Sequence, residues 1–340
     1  MAALVTHQDV PADPELRSRW HAVVDADPLG SIFHTPEYLE IWADVLGTRA
    51  NIRVHEVVEA GRTIGIVPVA LQREGSPTGP LEVVRFLGGT EVTDYPGPVA
   101  APEHRETVVA TYLDQLVRDG DWDEFVAGGM VVGSGWDEYW MEHARQRGLT
   151  TLGAAQDDVC PRIDLTGGFG AYLDRLPSKL RHEMRRKTRK LARDAGEIRL
   201  VEVDEADMDA ALERFFAFNT ATSDDKGRFF ANEEMQGWFR ALADRLGREG
   251  GFRLHELYVG GIPGAACVSL VHGDEWGLYN SAFDETLAML APGMVIVSEL
   301  IEVAASEGCT AFDLLRGDEP YKYRFGAEDR ELLAASFQRP

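Results

Sequence analysis

A five-residue pattern occurs once in each half of the chain. Residues 53–57 read Arg-Val-His-Glu-Val and residues 253–257 read Arg-Leu-His-Glu-Leu, and both stretches begin an apolar, strand-like run. Both runs lead through a turn that contains glycine, Gly61 or Gly261, into a second apolar run. Two unrelated β-hairpins would give the same similarity, but we favour a duplicated α/β unit.

The size and charge of the chain limit what it can be. A single domain usually has about 100 to 200 residues, so 340 residues predict two domains, which we place at 1–160 and 161–340. Hydrophobic residues make up 44% of the chain, which is typical of a globular protein with a sizeable core. The net charge of −23 repels polyanions at long range, so DNA is not an expected partner.

Cysteine, histidine and apolar patterns exclude further classes. The cysteines Cys160, Cys267 and Cys309 are far apart and form no CxxC pair, so no disulfide framework or zinc ribbon is encoded and a reducing cytoplasm fits. The nine histidines form no HxxH, HExxH or Cys/His cluster, so no metal site is expected. Since no export signal or run of about 20 apolar residues occurs, we expect a cytoplasmic protein without a membrane span.

Helix and strand patterns alternate along the chain, which indicates an α/β or α+β class. Three short apolar runs between residues 252 and 283 are separated by turn compositions and predict a β-meander. Residues 293–307 then predict a helix, and residues 309–315 a buried strand. The first-turn N–H groups of such a helix can hold a pyrophosphate or carboxylate. Alternatively, Pro292-Gly293 only marks the start of the helix.

The last part of the chain resembles a known family. Residues 279–284 (YNSAFD), the step Pro292-Gly293 and residues 312–326 (FDLLRGDEPYKYRFG) resemble the C-terminal signature of the CelD-like (BioF2-like) acetyltransferases. These proteins belong to the GNAT acyltransferase superfamily and are related to the Fem aminoacyl transferases. Residues 33–38 (FHTPEY) and 86–95 are similar to their leading GNAT-like domain, so the resemblance covers nearly the whole chain.

The resemblance implies a fold and an activity. The fold would be two tandem GNAT-like domains, each a mixed, largely antiparallel sheet flanked by helices. Residues 1–160 would form the acceptor side and residues 161–340 the donor side. The activity would be that of a GNAT-type N-acyltransferase, which moves an acyl group from an acyl-CoA thioester such as acetyl-CoA to an amine by direct attack. The implied partner is a small-molecule or peptide amine acceptor.

The resemblance also implies a donor site. The strands before and after the helix at Gly293 would splay apart around the pantetheine arm of the donor. The implied donor-binding residues are Gly293, Met294, Val295, Tyr279 and Asn280. The usual acetyl-CoA loop of the superfamily is Gln/Arg-x-x-Gly-x-Gly/Ala, and residues 290–295 keep only its first glycine. Two alternatives therefore stay open: a Fem-like transfer from aminoacyl-tRNA to a peptide or cell-wall precursor, and a non-catalytic GNAT-like binding module.

Charged and aromatic residues concentrate after the last predicted strand of this region. Acyl transfer requires stabilisation of an oxyanion and an acid for the leaving group. Tyr321 is the candidate acid, and Lys322, which matches the lysine of the Fem pattern Phe-Lys-x-x-Phe-Gly, would stabilise negative charge or hold an acceptor carboxylate. The candidate proton acceptors are Asp313, Asp318 and Glu319, and the candidate acceptor-binding residues are Asp94, Tyr95, Arg316 and Arg324. The alternatives are a solvated loop held by ion pairs and, at Asp94-Tyr95, an ordinary turn.

Residues 179–193 reverse the sign of the chain's charge, because they hold eight basic residues and one acidic residue, Glu183. At helical spacing, their apolar side chains fall on one side and several cations on another. The candidate anion-binding residues are Lys179, Arg186 and Arg189. They would contact phosphates of coenzyme A, of a nucleotide-linked acceptor or of a tRNA acceptor stem. Alternatively, the helix only compensates the acidic body of the protein.

Overall fold

The structure is a computed structural model, and it describes residues 2–48, 50–76, 79–221 and 225–339. It divides into two compact units, residues 1–159 with residues 330–340, and residues 160–329. The division expected from the sequence differs at the end of the chain, which it assigned to the second domain. The last strand, Glu328–Gln338, pairs with a strand of the first unit and completes that sheet.

The first unit is a mixed sheet with four α-helices among its described residues. In sheet order its strands are β1 (Ala3–Gln8), β2 (Asn51–Glu59), β3 (Arg62–Ser76), β4 (Gly79–Phe86), β5 (Glu124–Val131) and β12 (Glu328–Gln338). The pair β4–β5 is parallel, and the other pairs are antiparallel. The helices are α1 (Pro14–Ala26), α2 (Pro36–Val45), α3 (Arg105–Asp119) and α4 (Trp136–Gln146).

The second unit repeats this plan. In sheet order its strands are β6 (Thr150–Asp164, of which the part from Cys160 belongs to this unit), β11 (Ala311–Asp313), β10 (Glu275–Phe283), β9 (Ile262–His272), β8 (Phe252–Val259) and β7 (Ile198–Glu202). The pair β10–β11 is parallel, and the other pairs are antiparallel. The helices are α5 (Gly168–Arg175), α6 (Ser178–Ala195), α7 (Met208–Thr220), α8 (Asp225–Ala231), α9 (Glu233–Leu246) and α10 (Pro292–Ser306). The predicted meander is β8–β9–β10, and the predicted helix is α10.

The repeated sequence pattern occupies equivalent strands in the two units. His55 lies on β2 and His255 on β8, and each of these strands pairs with the strand that follows it in the chain. A bulge interrupts the two pairings at the same place, after Val57 and after Leu257. The two units therefore share the position of the pattern, the bulge and the following turn, as a duplicated α/β unit predicts.

The glutamate of each pattern is buried and pairs with a partly exposed arginine on a helix of its own unit. Arg19 of α1 donates two hydrogen bonds to Glu56, at 2.9 and 3.4 Å. Arg214 of α7 donates two to Glu256, at 2.7 and 2.9 Å. The two carboxylates are 4% and 1% exposed, so each requires its arginine partner. These pairs fix α1 and α7 against their sheets.

The class predicted from the sequence, mixed α/β with sheets flanked by helices, is confirmed. No helix in the described part of the chain is both long and apolar enough to cross a membrane. The same residues contain no group of three histidine, cysteine or acidic side chains that could hold a metal ion.

Candidate functional site

The strands β10 and β11 of the second unit separate after a short parallel pairing. The pairing runs from Glu275 opposite Ala311 to Gly277 opposite Asp313. β11 ends there, whereas β10 continues to Phe283. A register shift against β9 lies between residues 278 and 280, so the extra residue of a bulge falls where the separation begins. From this point β10 has β9 on one side and no pairing with β11 on the other.

Three residues of β10 beyond the separation have distinct surroundings. The hydroxyl of Tyr279 accepts a hydrogen bond from Trp238 of α9 at 2.9 Å, which fixes its ring against that helix. The side-chain oxygen of Asn280 is buried and has no hydrogen-bond partner among the described residues. The carbonyl of Ser281 accepts a 2.6 Å hydrogen bond from the ammonium of Lys226. Asn280 therefore has acceptor capacity that a ligand can use.

Tyr321 lies against the same part of β10. Its ring packs on the apolar core of the second unit, and its hydroxyl is hydrogen-bonded to the side chain of Ser281. Burial raises the pKa of Tyr321 well above its usual range, and Glu319 and Cys267 act in the same direction. The hydroxyl therefore carries its proton at neutral pH, and the burial that raises its pKa makes it a weaker acid than an exposed tyrosine.

Lys322 is turned inward. It is 2% exposed, and its ammonium donates to the carbonyls of Leu315, Arg316 and Gly317 at 2.9, 2.7 and 3.0 Å. The carboxylate of Glu319 lies 3.0 Å from the same nitrogen. An ammonium group has three protons, and these carbonyls take them all. The expected role of Lys322 at the reaction centre does not fit this geometry, which instead makes it the residue that holds the loop before Tyr321.

The two candidate proton acceptors next to this loop are also engaged. Asp313 is 1% exposed, and its carboxylate accepts the N–H of Leu315 at 2.7 Å. Leu315 has a φ of +58°, so this bond stabilises a left-handed turn that a leucine rarely adopts. Because Asp313 is closed to solvent and Glu319 pairs with Lys322, neither is placed to receive a proton from an acceptor. Asp318 is exposed.

The N-terminus of α10 follows the separated part of β10. Ala291 precedes it with a φ of +55°, and no side chain caps the helix. The N–H groups of Met294 and Val295 donate to the carbonyl of Ala291 at 3.1 and 3.3 Å, so two of the three amides expected at a pyrophosphate bond within their own turn. The first turn contains no acidic residue, so no carboxylate offsets the positive end of the helix dipole.

The basic segment of the sequence forms α6. Its predicted anion-binding residues, Lys179, Arg186 and Arg189, are exposed, and none pairs with a carboxylate in the part of the chain that the structure describes. Lys190 donates to the carbonyl of Met289 at 3.0 Å, in the 3₁₀ helix Glu285–Leu290 that leads into α10. Arg324 is bonded to Glu183 of α6 at 3.1 Å. α6 is therefore connected to the loop before α10 and to the segment that holds Tyr321.

Asp94 and Tyr95, the candidate acceptor residues of the first half, lie in the first unit. Tyr95 is 6% exposed, and the guanidinium of Arg330 lies 5.4 Å from its ring centroid. The cavity beside Tyr95 has a volume of only about 30 Å³, with Asp27 and His34 in its wall. A cavity of this size has room for water molecules and not for an acceptor. An acceptor at Tyr95 therefore requires the side chains around it to rearrange.

Several residues at the site were not predicted from the sequence. Ser281 lies within the stretch YNSAFD, but nothing in that stretch indicates that its hydroxyl meets Tyr321. Lys226 is far from β10 in sequence, and nothing in its segment indicates that its ammonium reaches the carbonyl of Ser281. Lys187 and Lys190 belong to the basic run, where their spacing alone does not separate them from the other cations.

Comparison with known proteins identifies the fold. Residues 178–323 match the model of the Acetyltransferase (GNAT) domain family. The crystal structure of FemX matches with a TM-score of 0.67 at 11% identity, covering 93% of this chain and 95% of FemX. A tandem GNAT protein from the clavulanic acid biosynthesis pathway matches with a TM-score of 0.53 at 14% identity, covering 100% of this chain and 99% of that protein.

A third solved structure has the same fold. L-PGS from Bacillus licheniformis matches with a TM-score of 0.56 at 10% identity, covering 95% of this chain and 91% of that chain. A search of curated proteins found no significant match. At such low sequence identities the structural likeness establishes the fold alone. The family model adds which kind of domain the second unit contains. The GNAT resemblance inferred from the sequence is confirmed for the second unit, where residues 178–323 match the acetyltransferase (GNAT) domain, and the chain as a whole has a fold similar to those of FemX and the tandem GNAT protein.

Proposed function

We propose that this protein is an N-acyltransferase that moves an acyl group from an acyl-CoA thioester to an amine by direct attack. The observation that carries the proposal is the separation of β10 from β11, after which the chain passes through the 3₁₀ helix Glu285–Leu290 to the N-terminus of α10. A strand edge offers N–H and C=O groups to any partner that can pair with it, and a pantetheine arm has two amides of the same kind. The carbonyl of Ser281 already accepts a hydrogen bond from a group outside the sheet, the ammonium of Lys226.

The comparison of the two units supports donor binding in the second unit. In the first unit, α3 occupies the position that corresponds to α10, between two parallel strands. Its first residue, Arg105, is 4% exposed, and its guanidinium is bonded to Asp27 at 2.5 Å and to the carbonyl of Ser134 at 2.6 Å. The buried ion pair of Arg105 with Asp27 thus occupies the N-terminus of α3 and leaves no space there for a ligand. We therefore assign the donor to the second unit and the acceptor to the first.

In the proposed reaction the nitrogen of the acceptor attacks the thioester carbon, and the C–N bond forms as the C–S bond breaks. The leaving thiolate takes a proton from the hydroxyl of Tyr321, and the proton that the amine nitrogen loses as the amide forms returns to the Tyr321 oxygen, directly or through water. Asn280 would accept a hydrogen bond from the pantetheine arm, a role that its buried side-chain oxygen supports because it has no partner in the described part of the chain. Lys322 and Asp313 act indirectly, because they hold the loop that positions Tyr321.

Replacement of Tyr321 by phenylalanine is expected to lower kcat by about 100-fold, because proton donation contributes at least this much to such reactions. The KM for the donor is expected to stay the same, since the ring still packs in place. Tyr323→Phe is the matched control, because that hydroxyl is bonded to Asp329 at 2.8 Å and is exposed. Steady-state kinetics would contradict this role if the Tyr321 variant turned over as fast as the Tyr323 variant.

A second candidate function is transfer of an amino acid from aminoacyl-tRNA. The exposed cations of α6 favour it, because none of Lys179, Arg186 and Arg189 pairs with a carboxylate among the described residues, and an RNA backbone would supply their counter-charges. Thermal unfolding with acetyl-CoA and, separately, with charged tRNA discriminates the two. A ligand at 100 times its Kd stabilises the folded protein by about 2.7 kcal/mol. We expect this shift with acetyl-CoA, and a shift with charged tRNA alone would reverse the order of the two candidates.

A further inference from the structure

The side chain of Lys226 reaches the separated part of β10 from the short helix α8. Its ammonium donates a 2.6 Å hydrogen bond to the carbonyl of Ser281. The hydroxyl of Tyr321 is hydrogen-bonded to the side chain of the same serine. The carbonyl oxygen and the hydroxyl of one serine are less than about 5 Å apart, so the two groups bonded to them lie within roughly 10 Å of each other. Lys226 is therefore next to the hydroxyl that donates the proton in the proposed reaction.

Aromatic packing holds α8 in this position. Phe230 of α8 is fully buried, and its ring centroid lies 5.3 Å from that of Phe215 and 5.2 Å from that of Phe239. The ring of Phe239 also contacts Tyr279 of β10, at a centroid distance of 5.6 Å. One aromatic cluster thus connects α8 to the strand that Lys226 reaches, and this connection positions the lysine at the site.

The positive charge of Lys226 acts on the groups around Ser281. Cys267 of β9 lies opposite Ser281 and is fully buried. Burial raises the pKa of Cys267, and the charge of Lys226 acts in the opposite direction. Lys322, the cation that the sequence suggested for the reaction centre, instead donates its three protons to main-chain carbonyls. Lys226 thus brings to the site the positive charge that Lys322 does not.

We propose that Lys226 stabilises the negative charge that develops on the thioester oxygen of the donor during acyl transfer. This inference rests on the proposed function. As the amine attacks, the electrons of the C=O bond move onto the oxygen, and the ammonium donates a hydrogen bond to it without losing a proton. When the C–S bond breaks, the C=O bond forms again and the thiolate is protonated. Lysine carries its charge on a flexible four-carbon stem, so the ammonium can move from the Ser281 carbonyl to this oxygen.

The test compares two donor analogues that differ in charge at the acyl position. Carboxymethyl-CoA has a carboxylate there, and carbamoylmethyl-CoA has a neutral amide of the same shape. Both are titrated calorimetrically into the wild type and into the Lys226→Met and Lys226→Arg variants. We expect the wild type and the arginine variant to bind the carboxylate about 10-fold more tightly than the amide, in line with the strength of a hydrogen bond to a charged group.

Lys226→Met is expected to lose this preference while its affinity for the amide stays unchanged. Lys226 is exposed, so its replacement leaves the fold intact. In steady-state kinetics, Lys226→Met is expected to lower kcat by about 100-fold, as the loss of one donor to an oxyanion does. An unchanged kcat in this variant would overturn the role of Lys226.

The matched control is Arg228→Gln. Arg228 is an exposed cation of the same helix, and residues two positions apart on a helix do not face each other. This variant is expected to keep the full preference for the carboxylate. Equal affinity of the wild type for the two analogues would overturn the role of Lys226 and leave acyl-CoA as the donor. Binding of neither analogue would overturn the proposed function, and this inference with it. Tighter binding of both analogues by Lys226→Met, in an unchanged ratio, would mean that the lysine only covers the edge of β10, which would also overturn the inference.

Discussion

Replacement of Lys322 by methionine is expected to lower the free energy of unfolding by about 4 kcal/mol, as removal of one partner from a buried charged network does. The methionine keeps the apolar stem but leaves the carbonyls of Leu315, Arg316 and Gly317 without their donor. Each buried, unsatisfied polar group costs about 1–3 kcal/mol. Urea unfolding at neutral pH measures the loss. We also expect turnover to fall, since the loop before Tyr321 loses its support.

The substitution Glu319→Gln distinguishes the contribution of the Lys322–Glu319 ion pair to stability from that of the hydrogen bonds between Lys322 and the three carbonyls. The side chain of Glu319 is 56% exposed, so the loss of this pair is expected to cost less than about 1 kcal/mol. The lysine would still hold the three carbonyls. A Lys322→Met variant that is as stable as the wild type but inactive would contradict the structural role and return Lys322 to the reaction centre.

Lowering the pH from 7 to 4 is expected to reduce the free energy of unfolding by about 6 kcal/mol through two histidines. Burial lowers the pKa of His55 and of His255 to about 4, and nearby arginines contribute in the same direction. In the unfolded chain each has its usual value of about 6.5. Between these values the unfolded chain binds protons that the folded protein does not, so stability is complete above pH 6.5 and is lost as the pH falls to 4.

The two histidines can be separated by substitution. Near pH 5 each unfolded-state proton contributes about 1.4 kcal/mol per pH unit to the slope of the unfolding free energy. His55→Gln and His255→Gln are each expected to remove about one such contribution, which urea unfolding at several pH values would measure. If either variant kept the wild-type slope between pH 4.5 and 6, the buried neutral state assigned to that histidine would be wrong.

Local patterns in the sequence were sufficient for much of the second unit. The strands β8 to β10 and the helix α10 were predicted because glycine-rich turns and apolar periodicity mark their ends. The strand predicted at residues 309–315 is shorter, Ala311–Asp313, because the side chain of Asp313 bonds the N–H of Leu315 and turns the chain. The pairing of β12 was not predictable, since it joins residues far apart in sequence.

The candidate site shows the same division between local and distant causes. Tyr321 and Lys322 are neighbours in a charged segment, and composition did not distinguish them. Their difference arises from the groups that they contact. The hydroxyl of Tyr321 is hydrogen-bonded to Ser281 of β10, whereas the ammonium of Lys322 donates to main-chain carbonyls of the preceding loop, such as that of Leu315. Similarly, the cations of α6 have one helical pattern, and the contacts of Lys187 with Glu183 and of Lys190 with Met289 distinguish these two lysines from the rest.

The return of β12 to the first unit has a consequence for synthesis on the ribosome. Residues 160–329 emerge before the strand that β5 needs, so the unit that begins first is completed last. Until then β5 lacks its neighbour and presents main-chain groups that other nascent chains can capture. The order in which the two units can be completed therefore differs from their order in the sequence. A stop codon just before β12 would damage the first unit, although most of that unit lies at the other end of the chain.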